Sequence, residues 1–334
     1  MIKRLIKLLC CTTVIVVTLV GCSDISRAGD SDIEDKDNTE IVGEYVDDTE
    51  KNGETEQLIA FTDKAVIEDV QETSGPYFIR INKTANIVEV FSLEGENQEA
   101  ELVKRMLCSV GTGGLDEDGD SNDTPLGRFK IYKRYRWSPL FGNVEGQYAV
   151  RFNGHILFHS VPYTKQDKGT LKDGEYNKLG TPASMGCVRL SVADAKWIYD
   201  KCPNGTEVEV IEGSEAEAFE KPLGIKIADD SEYSGWDPTD PDKNNPWIGK
   251  LPKIENVKDI TILKDSSKEV LMTVLNEVHG TDYDGTRLEA FIENIDSINL
   301  GEYGTYEIIY GTTGVYGVTV FDNAMINVVD EIKQ

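Results

Sequence analysis

The chain has 334 residues, of which 60 are acidic and 34 basic, giving a formal charge of −26. The excess acid lies at the flanks: residues 23–75 carry a net −13 and residues 213–334 a net −14, while residues 76–212 are nearly balanced at −2. No segment would neutralise a phosphate backbone, which excludes nucleic acid as a partner.

Residues 1–22 read as an export signal. Lys3, Arg4 and Lys7 form a positive start, and the apolar run Leu8 to Val20 is short for a membrane span. The run closes on Leu19-Val20-Gly21-Cys22, which resembles a bacterial lipoprotein cleavage box. On that resemblance Cys22 becomes the lipidated first residue, and the protein is held at the extracellular face of the cytoplasmic membrane by its acyl chains. An ordinary signal peptide or a short uncleaved anchor stays open, and either also places the protein outside that membrane. Residues 23–75 are rich in Asp, Glu, Asn and Thr and lack apolar periodicity until the weak patch Leu58-Ile59-Ala60-Phe61. They read as a disordered acidic linker.

From Pro76 the pattern alternates, the signature of half-buried strands. Tyr77 to Asn82 and Ile87 to Phe91 flank the turn Asn82 to Asn86. Leu102 to Val110, Gly127 to Tyr135, Tyr148 to Phe152, Ile156 to Phe158 and Thr206 to Ile211 are further strands. One helix is marked by Ser191 as its cap with Asp194 three residues on, and it stops near Pro203-Asn204-Gly205. Residues 76–212 are therefore expected to be a β-rich domain with one or two helices.

Residues 213–253 contain Pro222, Pro238, Pro241, Pro246 and Pro252 among acids, which predicts a stiff, extended linker. Trp236 and Trp247 within it either pack on a neighbouring domain or bind sugar faces. Residues 254–334 are expected to form a small β-sandwich from strands at Lys258–Leu263, Glu269–Met272, Leu288–Ile295, Thr305–Tyr310 and Gly317–Phe321. The run Gly301 to Tyr310 resembles the late hairpin of bacterial immunoglobulin-like surface domains. The fold class is mainly β throughout.

The chemistry gathers in two short stretches. There are three histidines, His155, His159 and His279, and two share the run Gly154-His155-Ile156-Leu157-Phe158-His159 before Ser160. Downstream lies Ser184-Met185-Gly186-Cys187-Val188-Arg189. A thiol attacks an acyl group as thiolate, and a nearby imidazole is the common means of producing one. Cys187 is accordingly the candidate nucleophile and His159 the base, with Ser160 orienting the imidazole through its backbone carbonyl. Gly186 and Ser184 would shape an oxyanion site, and the start of the capped helix would favour the thiolate. Arg189 is either a grip for a substrate carboxylate or half of a surface salt bridge. His155 lies on the His159 face, with a supporting or structural role open. No metal site and no cofactor are expected, because these residues lack zinc-type spacing. Cys108 and Cys202 read as small buried apolar residues, although a bridge between them is possible.

These stretches resemble the L,D-transpeptidase (YkuD-like) family. Its pattern is a histidine followed by Gly or Ser, then Ser/Thr-His-Gly-Cys, an apolar residue, and Asn or Arg. His159-Ser160 fits the first part; Ser184, Gly186, Cys187, Val188 and Arg189 fit the second. Cys108 to Gly114 and Asp123-Thr124-Pro125-Leu126-Gly127-Arg128-Phe129 are similar to two upstream family stretches. Met185 stands where many members carry a second histidine. The 28 positions from His159 to Cys187 exceed the family's usual spacing, so residues 161–181 are expected to form an exposed substrate-side lid.

The resemblance implies a cysteine acyltransferase of peptidoglycan stem peptides that forms 3→3 cross-links through a thioester and releases D-Ala. Water or a free D-amino acid as acceptor, and a non-catalytic wall-binding lipoprotein, are the alternatives. Cys187, His159 and Ser160 would be catalytic; Arg189, Gly186, Ser184, Met185 and His155 would meet substrate.

Overall fold

The computed structural model describes residues 75–93, 100–214 and 221–332, so the expectations for the signal, Cys22 and most of the acidic linker lie outside the described residues. The first alternating stretch gives a five-stranded sheet. β1 (Tyr77–Asn82) and β2 (Ile87–Ser92) form a hairpin over Asn86, which takes a left-handed conformation with φ 53°. β3 (Glu101–Leu107) pairs with β2, while β9 (Glu207–Ile211) joins β1 in parallel and carries β4 (Gly127–Lys130) at the edge. The sheet order is β3-β2-β1-β9-β4.

The second sheet holds β5 (Lys133–Leu140), β6 (Val144–Asn153), β7 (Ile156–Ser160) and β8 (Val188–Leu190), in that order. Side chains alternate across a strand, so each strand presents two sets of residues. The even-numbered set, with Tyr148, Val150, Phe152, Ile156, Phe158, Val188 and Leu190, enters the main core with Ile79, Ile81, Val88, Val90, Val208 and Val210 of the first sheet. The odd-numbered set faces the opposite way. Tyr135, Ala149 and Leu157 form a small cluster of their own there, with Cys187 against it.

A one-turn helix α1 (Asp173–Tyr176) and the ten-residue α2 (Val192–Lys201) complete this part. α2 packs on β6 and β7 through Val192, Ala195, Ile198 and Tyr199. Its Ser191 cap accepts the Asp194 amide, as the sequence pattern predicts. Cys108 and Cys202 are buried free thiols in the main core.

Residues 213–253 depart from the expected stiff linker. From residue 225 onward the chain lies on the preceding domain: Ile227 and Trp247 are buried in its core, and Tyr233, Trp236 and Leu251 pack against that core. Burial of these apolar groups outweighs the prolines' preference for extended chain. β10 (Lys226–Ile227) also pairs with β17 (Val318–Val329), so the segment belongs to two neighbours at once.

The C-terminal part contains β11 (Lys253–Glu255), β12 (Ile260–Leu263), β13 (His279–Thr281), β14 (Arg287–Leu288), β15 (Ala290–Ile292) and the long β16 (Gly304–Thr313), paired with β17 over ten residues. It encloses a separate core around Leu271, Ile308, Tyr310 and Ile326. The expected strand at Glu269–Met272 is instead helix α3 (Glu269–Leu275), which buries Leu271. Glu, Leu and Met are good helix formers, and a short apolar run does not fix the period. Leu288–Ile295 is broken into β14, β15 and a 3-10 turn at Ile295–Ser297.

Candidate active site

The odd face of the second sheet is the floor of a cavity of about 890 Å3, whose lining includes Tyr135, Trp137, Arg151, Leu157, His159, Cys187 and Arg189. Parallel pairing of β7 with β8 sets His159 opposite Arg189 and Phe158 opposite Val188. One step back, Cys187 falls beside Leu157 and diagonal to His159 on the same face. Antiparallel pairing of β6 with β7 places Arg151 opposite Leu157. A row Arg151–Leu157–Cys187 thus crosses three strands beside the pair His159–Arg189.

His159 is buried, and its Nδ1 lies 2.5 Å from the Ser160 carbonyl oxygen. With Nδ1–H donated there, Nε2 is left as the basic nitrogen. Ser160 is itself fixed: its hydroxyl accepts the Gln147 amide and donates to the Val161 carbonyl. Burial, helped by the Arg189 charge, lowers the His159 pKa to about 3, so the ring is neutral. Gly146 lets the ring lie against β6, since a Cβ at that position would meet Nδ1 at 3.0 Å and the His159 Cβ at 3.2 Å.

Cys187 is half-buried. Its thiol donates to the His155 carbonyl at 3.8 Å, and the sulfur receives the Leu157 amide. Among the described residues it makes no hydrogen bond to the imidazole. Burial raises its pKa, against the lowering effects of the Leu157 amide, Arg189 and Arg151. The resting pair is thiol and neutral imidazole, without the stabilised thiolate expected from the start of the capped helix. The helix start does not supply the missing stabilisation. β8 intervenes, and the first helical amides, of Val192 and Ala193, are taken by Asp237 Oδ2 and Thr239 Oγ1.

The turn before Cys187 is braced from within. Ser184 Oγ donates to the Cys187 carbonyl at 2.5 Å and accepts the Gly186 amide at 3.2 Å. The Gly186 amide is therefore committed, contrary to its expected place in an oxyanion site. Gly186 has φ +106°, and a Cβ there would meet Ile156 Cδ1 at 2.8 Å and the Asp123 carbonyl at 3.0 Å, so the position demands glycine. Thr124 ties the upstream stretch to this turn, accepting the Gly111 amide and donating to the Gly186 carbonyl. Met185 is exposed at the cavity wall, and His155 lines it from the β6–β7 turn.

Arg189 is committed to Glu175 of α1, with Nη1–Oε2 at 2.5 Å, and Glu175 also holds Lys178. Burial alone would raise the Glu175 carboxyl; the hydrogen bonds from Lys178 and Arg189 bring it below its ordinary value. The 161–181 stretch that carries Glu175 is not the exposed lid its Lys, Asp and Gly content predicts. Val161, Tyr163, Leu171, Tyr176 and Leu179 are buried, and the 225–252 segment clasps it. Asp173 accepts the Gly235 amide and the Ser234 hydroxyl, Leu171 donates to the Gly235 carbonyl, and Lys168 pairs with Asp240 and Asp242. Pro162 and Gln166 reach the cavity wall. Sequence reading missed Arg151, Tyr135 and Gly146; the period-2 alternation of β5 and β6 carries the signal that Tyr135 and Arg151 share one face, but it carries none for Gly146, an even position.

Residues 76–210 match the YkuD family, described as the L,D-transpeptidase catalytic domain. YciB of Bacillus subtilis (strain 168), which bears the name of an L,D-transpeptidase provisionally, is 34% identical over 172 residues, or 48% of this chain and 84% of that protein. This chain belongs to the L,D-transpeptidase (YkuD) family. Solved L,D-transpeptidases are similar over a smaller share. LdtMt1 in complex with imipenem is 22% identical with a TM-score of 0.31, over 41% of this chain and 59% of that one. The Mycobacterium smegmatis L,D-transpeptidase is 19% identical with a TM-score of 0.31, over the same shares. A fused Zn-dependent amidase/peptidase/peptidoglycan-binding protein of Clostridium acetobutylicum ATCC 824 is 26% identical with a TM-score of 0.30, over 42% of this chain. The chain spans between half and three-fifths of these solved proteins. Among the described residues no helix is long and apolar enough to cross a membrane.

Proposed function

We propose that this L,D-transpeptidase-family chain is a cell-wall enzyme that joins peptidoglycan stem peptides through a thioester on Cys187. The supporting observation is the shared face of β7 and β8, where a neutral imidazole held by the Ser160 carbonyl lies diagonal to the half-buried thiol. Sγ attacks the carbonyl carbon of the third stem residue while His159 Nε2 takes the thiol proton. The oxyanion forms beside the Cys187 amide, since the Gly186 amide is committed to Ser184. The C–N bond to D-Ala breaks, His159 returns the proton to the departing amine, and the thioester remains. An amine of a second stem attacks that carbonyl, passes its proton to His159, and releases the thiol with a new 3→3 amide bond. Hydrogen bonds of this kind are often loose before substrate binds, which accommodates the sulfur's resting contacts with β7 backbone.

The same reading assigns residues 1–22 to a signal with Cys22 as lipid anchor, residues 23–75 to an acidic tether, 76–212 to catalysis and 254–334 to a separate β-rich domain. Incubation of the soluble chain with disaccharide-tetrapeptide should yield cross-linked dimer and free D-Ala. Hydrolysed tripeptide alone would move the assignment to a carboxypeptidase, and exchange with an added D-amino acid to an exchange enzyme. A Cys187→Ala protein that retained turnover would end the proposal.

A further inference from the structure

Three arginines line the cavity, and they differ in their commitments: Arg136 is exposed, with its guanidinium 4.2 Å from the Tyr148 ring centroid. Arg189 is paired with Glu175. Arg151 has no carboxylate within ion-pair reach among the described residues, and its buried Nε makes no hydrogen bond. What it does touch is an aromatic face, with Cζ 5.4 Å from the Tyr135 ring centroid. A guanidinium is always charged and presents its donors as a planar fork, so a partly buried one without an acceptor is a standing cost unless a ligand supplies an anion. The row Arg151–Leu157–Cys187 fixes where that anion would be. Neighbouring strands lie about 4.8 Å apart, so Arg151 starts roughly two spacings from Cys187, within the reach of an arginine side chain toward a group near the acyl carbon.

We infer that Arg151 binds a carboxylate of the acyl-donor stem peptide and so determines which donors Cys187 accepts. This rests on the function proposed above and reassigns to Arg151 the role that the sequence pattern suggested for Arg189. The donor has two carboxylates near the scissile bond, on the side chain of the third residue and at the C-terminus. A bidentate guanidinium–carboxylate contact suits either, and chemical masking separates them.

The test measures calorimetric binding of three tetrapeptides to the Cys187→Ala protein: unmodified, amidated on the third side chain, and amidated at the C-terminus. One amide should bind roughly 10- to 100-fold more weakly than the unmodified peptide, and that amide identifies the carboxylate. Adding Arg151→Met should weaken the unmodified peptide by a similar factor while leaving that amide's affinity unchanged, and Arg151→Lys should recover part of the loss. Equal binding of all three peptides to the Arg151 protein overturns the inference, and this arm needs no variant that could misfold. So does an Arg151→Met loss of the same size on every peptide, which would mark a structural role. Failure of every peptide to bind, with no turnover by the Cys187 enzyme, would instead refute the proposed function.

Discussion

At the residue scale the site separates two properties that cysteine acyl chemistry needs, a basic nitrogen and a nucleophilic sulfur. Burial keeps His159 neutral at ordinary pH but also holds Cys187 as a thiol. Thiolate then forms as the proton moves to Nε2 during attack. Alkylation by iodoacetamide of a chain beginning at residue 75 should accordingly climb with pH beyond the ordinary cysteine range, with label on Cys187 because Cys108 and Cys202 are buried. A rate already on a plateau at neutral pH would show a preformed ion pair and contradict this picture. The same histidine couples stability to acid. Its folded pKa, about 3, lies below the usual 6.5, so between those values the unfolded chain binds a proton that the native one refuses. Its contribution is complete above pH 6.5 and is lost at up to about 1.4 kcal/mol per pH unit as pH falls toward 3. Asp237 opposes it: burial raises that carboxyl to about 6, so its native form gains relative stability as pH falls through 6. Comparing wild type with His159→Gln isolates the first term. The variant should lose less stability between pH 6.5 and 4, and identical slopes in thermal melts would reject the linkage.

At the scale of elements, legibility followed whether local chemistry had a competitor. The hairpin from Tyr77 to Phe91, the strand before Ile211 and the helix after Ser191 are correctly predicted, because alternation, turn residues and a cap agree. Cys187 and His159 were legible as neighbouring chemistry from motif order. Their actual relation, diagonal on parallel strands, needed the register of the three-residue β8, which is too short to show a period. Arg151 was invisible for the same reason: alternation names its face but not what shares that face. The 161–181 stretch was misread because its charges suggest solvent, whereas Lys168 and Asp173 are paired by a segment far along the chain. Asp237 does comparable work for α2 by accepting the Val192 amide together with the Thr239 amide and hydroxyl. Asp237→Ala should therefore destabilise the fold by roughly 1–3 kcal/mol at pH 7, read as a lower denaturant midpoint at unchanged slope. An unchanged midpoint would mean that water replaces those bonds without loss.

For the whole molecule, the consequence is that the catalytic domain does not end where its last strand does. Trp247 is buried in the main core with Ile227, and the Trp247 indole donates to the Trp236 carbonyl. Each large apolar side chain removed from that core forfeits roughly 1.5–3 kcal/mol, and the ties to Leu171, Asp173 and Lys168 would go with them. That loss is comparable to the net stability of an ordinary domain, about 5–15 kcal/mol. The segment is joined in turn to the C-terminal part, since β10 pairs with β17 and Tyr233 stacks on Tyr316 at 4.4 Å between ring centroids. Three chains beginning at residue 75 separate these contributions. One ending at 214 should melt well below the others and lose activity, because Tyr163 and Tyr176 lose their cover and Glu175 its fixed place beside Arg189. One ending at 252 should recover most of the activity, and one ending at 332 should add only the stability of the β10–β17 and tyrosine contacts. Equal melting temperatures and turnover for the shortest and longest chains would return residues 225–252 to the role of a passive linker.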